Sequence, residues 1–141
     1  RGRREAGVDY KGWLMKVSHE RLEGTGLPGE SFKTSLATLH AFQGWADKFL
    51  ATPDSGIVDN FFTIKGKIAG FTTLLVGHYY DAESGSFDYG NEYDLQITRK
   101  LGRYTLGLKY ATYSAAGDVL NLGGPSVDTD KLWAWVQFAF K

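Results

Sequence analysis

A chain of 141 residues is of ordinary length for one domain, so every motif has to fit a single architecture spanning 1–141. Its 16 Lys and Arg balance 16 Asp and Glu, which argues against the polyanion-coating surface of a nucleic-acid binder. The lack of cysteine excludes disulfide staples, thiolate zinc sites and cysteine nucleophiles.

No run approaches the roughly 18 apolar residues of a membrane-spanning helix, and the basic start RGRREAG is not followed by the apolar core of a signal peptide. A membrane β-barrel passes the same test, because its strands alternate lipid-facing with lumen-facing residues and average out as only mildly apolar. An aromatic share of 15%, with 18 glycines and three prolines, suits a twisted β protein.

Six segments read with period two and are separated by turn signals, near 7–23, 57–67, 70–81, 90–101, 103–115 and 129–140. In the first, Val8 and Tyr10 are out of phase with Trp13, Met15 and Val17, which predicts a bulge at Lys11 or Gly12. The second alternates Val58, Asn60, Phe62, Ile64 and Ile68 with Asp59, Phe61, Thr63, Lys65 and Lys67. The third, FTTLLVGHYY, has no clean phase and its facing stays open. The fourth sets Tyr93, Leu95 and Ile97 against Asp94, Gln96 and Thr98, a pattern that a helix would smear around its circumference. The fifth sets Tyr104, Leu106, Leu108 and Tyr110 against Thr105, Gly107, Lys109 and Ala111, and the last aligns Leu132, Ala134, Val136, Phe138 and Phe140 on one face.

Tight turns at 67–70 and 101–103 alternate with longer links at 24–56, 82–89 and 116–128, and Pro28, Pro53 and Pro125 all fall in the longer ones. That asymmetry is expected of an outer-membrane barrel with short periplasmic turns and long extracellular loops, and it puts the C-terminus on the periplasmic side. In the longest link Leu36, Leu39, Phe42, Trp45 and Phe49 recur at near-helical spacing after Thr34 and Ser35, with Thr52, Pro53 and Asp54 as a stop. This predicts a long, partly helical extracellular loop.

The stretch FKTSLATLHAFQGWADKFLATPDSGIVD (32–59), the run YGNEYDLQITRKLGRYTLGLKYATYSA (89–115) and the end DTDKLWAWVQFAF (128–140) carry a resemblance to proteobacterial outer-membrane porins of the alginate-export type. Ser35 stands where that family usually has proline, and Lys141 follows Phe140 where such barrels usually end on the aromatic residue. The resemblance implies an all-β, antiparallel up-and-down transmembrane barrel in a Gram-negative outer membrane that passes solutes. About six strands cannot close a barrel, so the expectation is the C-terminal portion of a longer porin, completed by missing strands or other chains.

In such a barrel Lys16, Glu20, Asp59, Lys65, Lys67, Glu92, Asp94, Gln96, Thr98, Lys100, Lys109, Lys131 and Gln137 line the pore, where rings of charge select by sign. Phe62, Ile64, Tyr93, Leu95, Ile97, Tyr104, Leu106, Leu108, Tyr110, Val136, Phe138 and Phe140 face lipid. His40, Gln43, Asp47 and Lys48 lie in the long loop, which either constricts the lumen or braces its wall. Tyr79, Tyr80, Phe87, Tyr89, Tyr93, Tyr110, Tyr113 and Trp133 are expected as an aromatic girdle at the long-loop end, with Phe71, Tyr104, Phe138 and Phe140 as a second at the other.

His19, His40 and His78 are scattered, and no Gly-flanked serine, paired-His helix or phosphate loop is present, so no enzyme, cofactor or metal site is expected. The expected function is passive diffusion of small polar solutes through a hydrated lumen, with outer-membrane lipid as the other partner and nucleic acid as none. The rivals are a soluble small β-barrel carrying an apolar ligand, in which the apolar faces would point inward, and a non-conducting structural barrel.

Overall fold

A computed structural model describes residues 2–28, 44–49, 51–117 and 127–140. These form seven strands: β1 (Gly2–Tyr10), β2 (Trp13–Leu22), β3 (Ile57–Ile68), β4 (Phe71–Asp81), β5 (Asp88–Leu101), β6 (Tyr104–Ala115) and β7 (Thr129–Phe138). All seven pair antiparallel, each with its neighbour in sequence, in one open sheet ordered β1 to β7.

The first predicted segment is thus two strands, and the expected bulge at Lys11 or Gly12 is a chain reversal. Tyr10 pairs with Trp13, and Lys11 (φ 47°) and Gly12 (φ 82°) supply the two left-handed residues that a tight hairpin turn requires. The slip of phase between Val8 and Met15 has this cause, since the two are cross-strand partners that share a face. Ala69 (φ 49°) and Gly70 (φ 81°) turn the chain in the same way between β3 and β4.

Three two-residue turns, at 11–12, 69–70 and 102–103, therefore occupy one rim of the sheet, while the links 23–56, 82–87 and 116–128 leave from the other. β7 runs toward the short-turn rim, where Ala139 N donates to Arg103 O at 2.9 Å. At the opposite rim the bases of the long links hold one another: Gly26 N donates to Asp54 O at 2.9 Å, Ser84 N to Ser55 O at 2.8 Å, and Arg21 pairs with Glu83.

No helix is found among the described residues. Trp45 and Phe49, expected on a helical face, lie instead in successive turns, because Gly44 (φ 85°) and Asp47 (φ 58°) adopt left-handed backbone that a right-handed helix cannot contain. Leu36, Leu39 and Phe42 of the same expected helix lie outside the described residues.

The core sits toward the long-loop rim. Leu22, Ile57, Tyr80, Ala111 and Tyr113 from the sheet close around Ala46 and Phe49 of the segment 44–49. Tyr89 joins them through a bulge: Tyr80 pairs with Gly90 and Asp81 with Asp88, which leaves Tyr89 as the extra residue, and Gly90 (φ 125°) takes up the backbone rotation.

Candidate functional site

Because strand side chains alternate and the register is continuous, cross-strand partners form rows that share a face across the whole sheet. One face carries the rows Arg3–Glu20–Asp59–Tyr80, Glu5–Ser18–Phe61–His78–Glu92–Tyr113–Thr129 and Gly7–Lys16–Thr63–Val76–Asp94–Ala111–Lys131. Below them, toward the short turns, come Asp9–Leu14–Lys65–Leu74–Gln96–Lys109–Trp133, then Lys67–Thr72–Thr98–Gly107–Trp135, and last Lys100–Thr105–Gln137. Every residue expected to line a pore thus shares this polar face. The third segment, whose phase the sequence left open, gives it Thr72, Leu74, Val76, His78 and Tyr80.

The carboxylates on this face are concentrated at one height. Glu20, Asp59, Glu92 and Asp94 are buried in the rows nearest the long loops. Lys65, Lys67, Lys100 and Lys109 occupy the rows nearest the short turns, where the only carboxylate in register among the described residues is Asp9 on β1. A charge-neutral composition therefore conceals an upper zone of buried carboxylates, which also holds Arg3, Lys16 and Lys131, above a basic lower one.

The segment 44–49 lies across the carboxylate zone as a strap. Ala46 N donates to Glu92 Oε1 at 2.6 Å, and Trp45 N donates to Asp94 Oδ2 at 3.2 Å. Lys131 Nζ pairs with Asp47 Oδ2 at 3.0 Å, and Lys48 Nζ donates to Thr129 Oγ1 at 2.8 Å. Phe49 then fills a box of Tyr80, Tyr89 and Tyr113, with ring centroids 4.5, 5.7 and 6.0 Å away. Of the four predicted loop residues, Asp47 and Lys48 are thus fixed to β7, while His40 and Gln43 lie outside the described residues. At the edge of the strap Lys109 Nζ stands 5.0 Å over the Trp45 ring and 4.7 Å over Trp133, a cation between two indole faces.

His78, one of the scattered histidines in the sequence, is brought by register into this carboxylate zone. Its Nδ1 lies 2.8 Å from Asp59 Oδ2 and its Nε2 lies 3.5 Å from Asp94 Oδ2, with the ring stacked on Phe61 and Tyr80. The cluster is clamped by aromatic rings and by the strap. Among the described residues no three His, Asp or Glu groups converge as metal ligands would.

The other face is mostly apolar, with Arg99 and Asp130 as its charged exceptions below the long-loop rim. Phe62, Ile64, Tyr93, Leu95, Ile97, Tyr104, Leu106, Leu108, Tyr110, Val136 and Phe138 all lie on it, joined by Val8, Met15, Val17, Phe71, Leu75 and Leu132. Nothing among the described residues covers this face: Leu132 is 68% exposed, Val136 66% and Leu108 46%. Phe140 lies past the end of β7, 88% exposed, with its ring edge-on to Phe138 at 4.9 Å.

The expected long-loop girdle is half corrected. Tyr79, Phe87, Tyr93 and Tyr110 are exposed, and the Tyr79 and Tyr93 hydroxyls meet at 2.9 Å. Tyr80, Tyr89 and Tyr113 are instead buried around Phe49, and Trp133 packs on the polar face beside them. Parity alone could have separated Tyr79 from Tyr80 and Tyr110 from Tyr113, whereas Tyr89 needed the bulge.

Comparison with models of protein families, with curated proteins and with solved structures finds no match.

Proposed function

We propose that this chain forms part of the wall of an outer-membrane β-barrel channel through which small polar solutes diffuse passively. The observation that carries the reading is the two-sided sheet: an apolar face that no described residue covers, opposite a face of charges, hydroxyls and amides. Seven strands about 4.8 Å apart and an apolar band roughly 25 Å tall make a patch of roughly 800 Å², above what a monomeric soluble protein leaves exposed. Lipid is the solvent such a face suits, and a hydrated lumen suits its reverse. The distribution of turns supports the same reading, with three two-residue turns on one rim and the long links on the other. In this reading the end of β7 lies on the periplasmic side.

Edges left open at β1 and β7 would be intolerable in hydrocarbon, so further strands or further copies close the cylinder. Within it the strap narrows the passage at the long-loop end, and the lysines of the lower rows meet the solute. The sequence resemblance to porins of the alginate-export type agrees with this architecture. A soluble carrier would need Leu95, Leu108 and Val136 in a dry interior, and Leu108 and Val136 are instead among the exposed residues.

The test is reconstitution of the protein from detergent into planar bilayers. Stepwise conductance and loss of monodispersity when detergent is withdrawn are the expected results. A protein that stays dispersed in plain buffer and conducts nothing would remove the reading.

A further inference from the structure

Toward the long-loop rim the rows of the apolar face turn polar. Arg4, His19, Asn60, Tyr79, Asn91 and Ser114 are consecutive cross-strand partners, so a polar line crosses the sheet just above the apolar rows. From Asn91 down to Leu101 a strand tilted by about 40° rises roughly 25 Å, the height of the hydrocarbon band of such a barrel. In the reading proposed above, the polar row therefore lies at the headgroup layer of the leaflet beside the long loops, next to Tyr79 and Tyr93.

At the β1–β3 end of this row the sheet surface hollows into a groove of about 510 Å³. Its upper part presents Arg4, His19 and Asn60, and Ala6, Val17 and Phe62 line the row beneath. His19 Nδ1 and Asn60 Oδ1 share a hydrogen bond of 2.8 Å that orients the imidazole. Arg4 is exposed and makes no hydrogen bond or ion pair with another described residue. The acidic neighbour Glu5 also borders the groove, but its carboxylate turns to the opposite face, where it meets Arg3 at 3.0 Å and Lys16 at 3.4 Å. A cation with no counter-ion among the described residues thus stands over an apolar trough, in that reading at the depth where lipid headgroups change to acyl chains.

We propose that this groove seats an anionic, phosphate-bearing lipid, with its phosphate on Arg4 and His19 and an acyl chain along Val17 and Phe62. The inference rests on the channel reading, which supplies the membrane. Guanidinium is the side chain best suited to the oxygens of a phosphate, which it can bind by two parallel hydrogen bonds. The trough below adds apolar contact that free phosphate could not use.

The test is native mass spectrometry of the protein in a zwitterionic detergent with three probes: bisphosphorylated lipid A, the same lipid with its phosphates removed, and phosphatidylcholine. Retention of the phosphorylated lipid under activation that strips the other two is expected. Arg4→Gln combined with His19→Gln should lower that retention by roughly tenfold, the effect of losing about one charge-assisted contact. Val17→Trp, which fills the trough without changing charge, should displace the lipid as well. Equal retention of the phosphorylated and dephosphorylated lipids, or retention undiminished in the double variant, would overturn the proposal. So would a second copy of the chain in the groove, seen as an oligomer that Val17→Trp disperses with no dependence on phosphate. A protein that needs detergent and conducts, yet shows no preference for phosphate, loses the lipid site alone; one that stays dispersed without detergent loses both readings.

Discussion

The backbone amide of Ala46 donates to Glu92 Oε1 at 2.6 Å, and this contact joins a loop residue to the centre of the sheet across a sequence separation of 46. Glu92 is fully buried, so its carboxylate acts as a receptor for the strap rather than as a solvated wall charge. Glu92→Ala leaves the Ala46 amide without its acceptor, at a cost of about 1–3 kcal/mol. Faster hydrogen exchange at Ala46 and, in the proposed channel, a larger single-channel conductance are expected together, with Glu92→Gln, which keeps an acceptor oxygen, falling between. Unchanged exchange at Ala46 in Glu92→Ala would mean that Phe49 and Lys131 hold the strap without it.

Leu108 lies near the middle of the apolar band, one row from Leu95 and Tyr110. An arginine at such a depth on a lipid face destabilises a barrel by about 2–4 kcal/mol, whereas on the surface of a soluble sheet it is close to neutral. Leu108→Arg should therefore lower the urea midpoint of the bilayer-folded protein by the amount that this penalty implies. Thr105→Arg, on the polar face near the rim, should leave the midpoint nearly unmoved. Equal effects at the two positions would contradict a lipid-facing Leu108.

How much of this was legible in the sequence follows from what period two can and cannot encode. Tyr93, Leu95 and Ile97 against Asp94, Gln96 and Thr98 declare their faces unaided, because each polar residue follows an apolar one without a break. Val8 and Met15 did not, since a two-residue turn flips the parity of every residue beyond it and a bulge does the same. Lys11 at positive φ concealed the turn, as lysine gives no signal for that conformation. FTTLLVGHYY was silent because β4 puts Leu74, Val76 and Tyr80 on the polar face, where the neighbouring strands and the strap supply the apolar contact that water would not. The acidic cluster around His78 draws on three strands, β3, β4 and β5. Asp59, His78 and Asp94 are 16–35 residues apart in sequence, so the cluster exists only once the register is known. The strap is the least legible element. Trp45 and Phe49 keep helical spacing, yet left-handed backbone at Gly44, just before Trp45, and at Asp47, between the two, rules out a helix there.

Gly107 faces the Trp135 ring across the β6–β7 pair, and an added Cβ would collide with the indole. This is a glycine covered by an aromatic partner, an arrangement that fixes both register and rotamer. Gly107→Val should destabilise the protein by about 1–3 kcal/mol through overpacking. Trp135→Ala in the same chain should recover part of that loss, so the double variant is more stable than the sum of the single effects predicts. Strict additivity in urea unfolding would show that the indole yields freely.

Lys109 is held 5.0 Å over Trp45 and 4.7 Å over Trp133, at the boundary where the buried carboxylates give way to Lys65, Lys67 and Lys100. In the proposed channel a charge fixed between two rings would not swing aside as a solute passes, so its sign would act on the permeating ion at a defined height. Lys109→Glu exchanges that cation for an anion in a zone with few counter-charges, and the local field changes sign where a low-dielectric wall amplifies it. The reversal potential in a salt gradient should therefore move toward cation preference, with Lys109→Gln between the wild type and Lys109→Glu. Raising the ionic strength should compress all three values together, because a charge that faces water is screened over about 10 Å at 0.1 M salt. A potential that ignores position 109 while still responding to Lys65→Glu would place the permeation path on the β3 side of the wall, away from the two tryptophans.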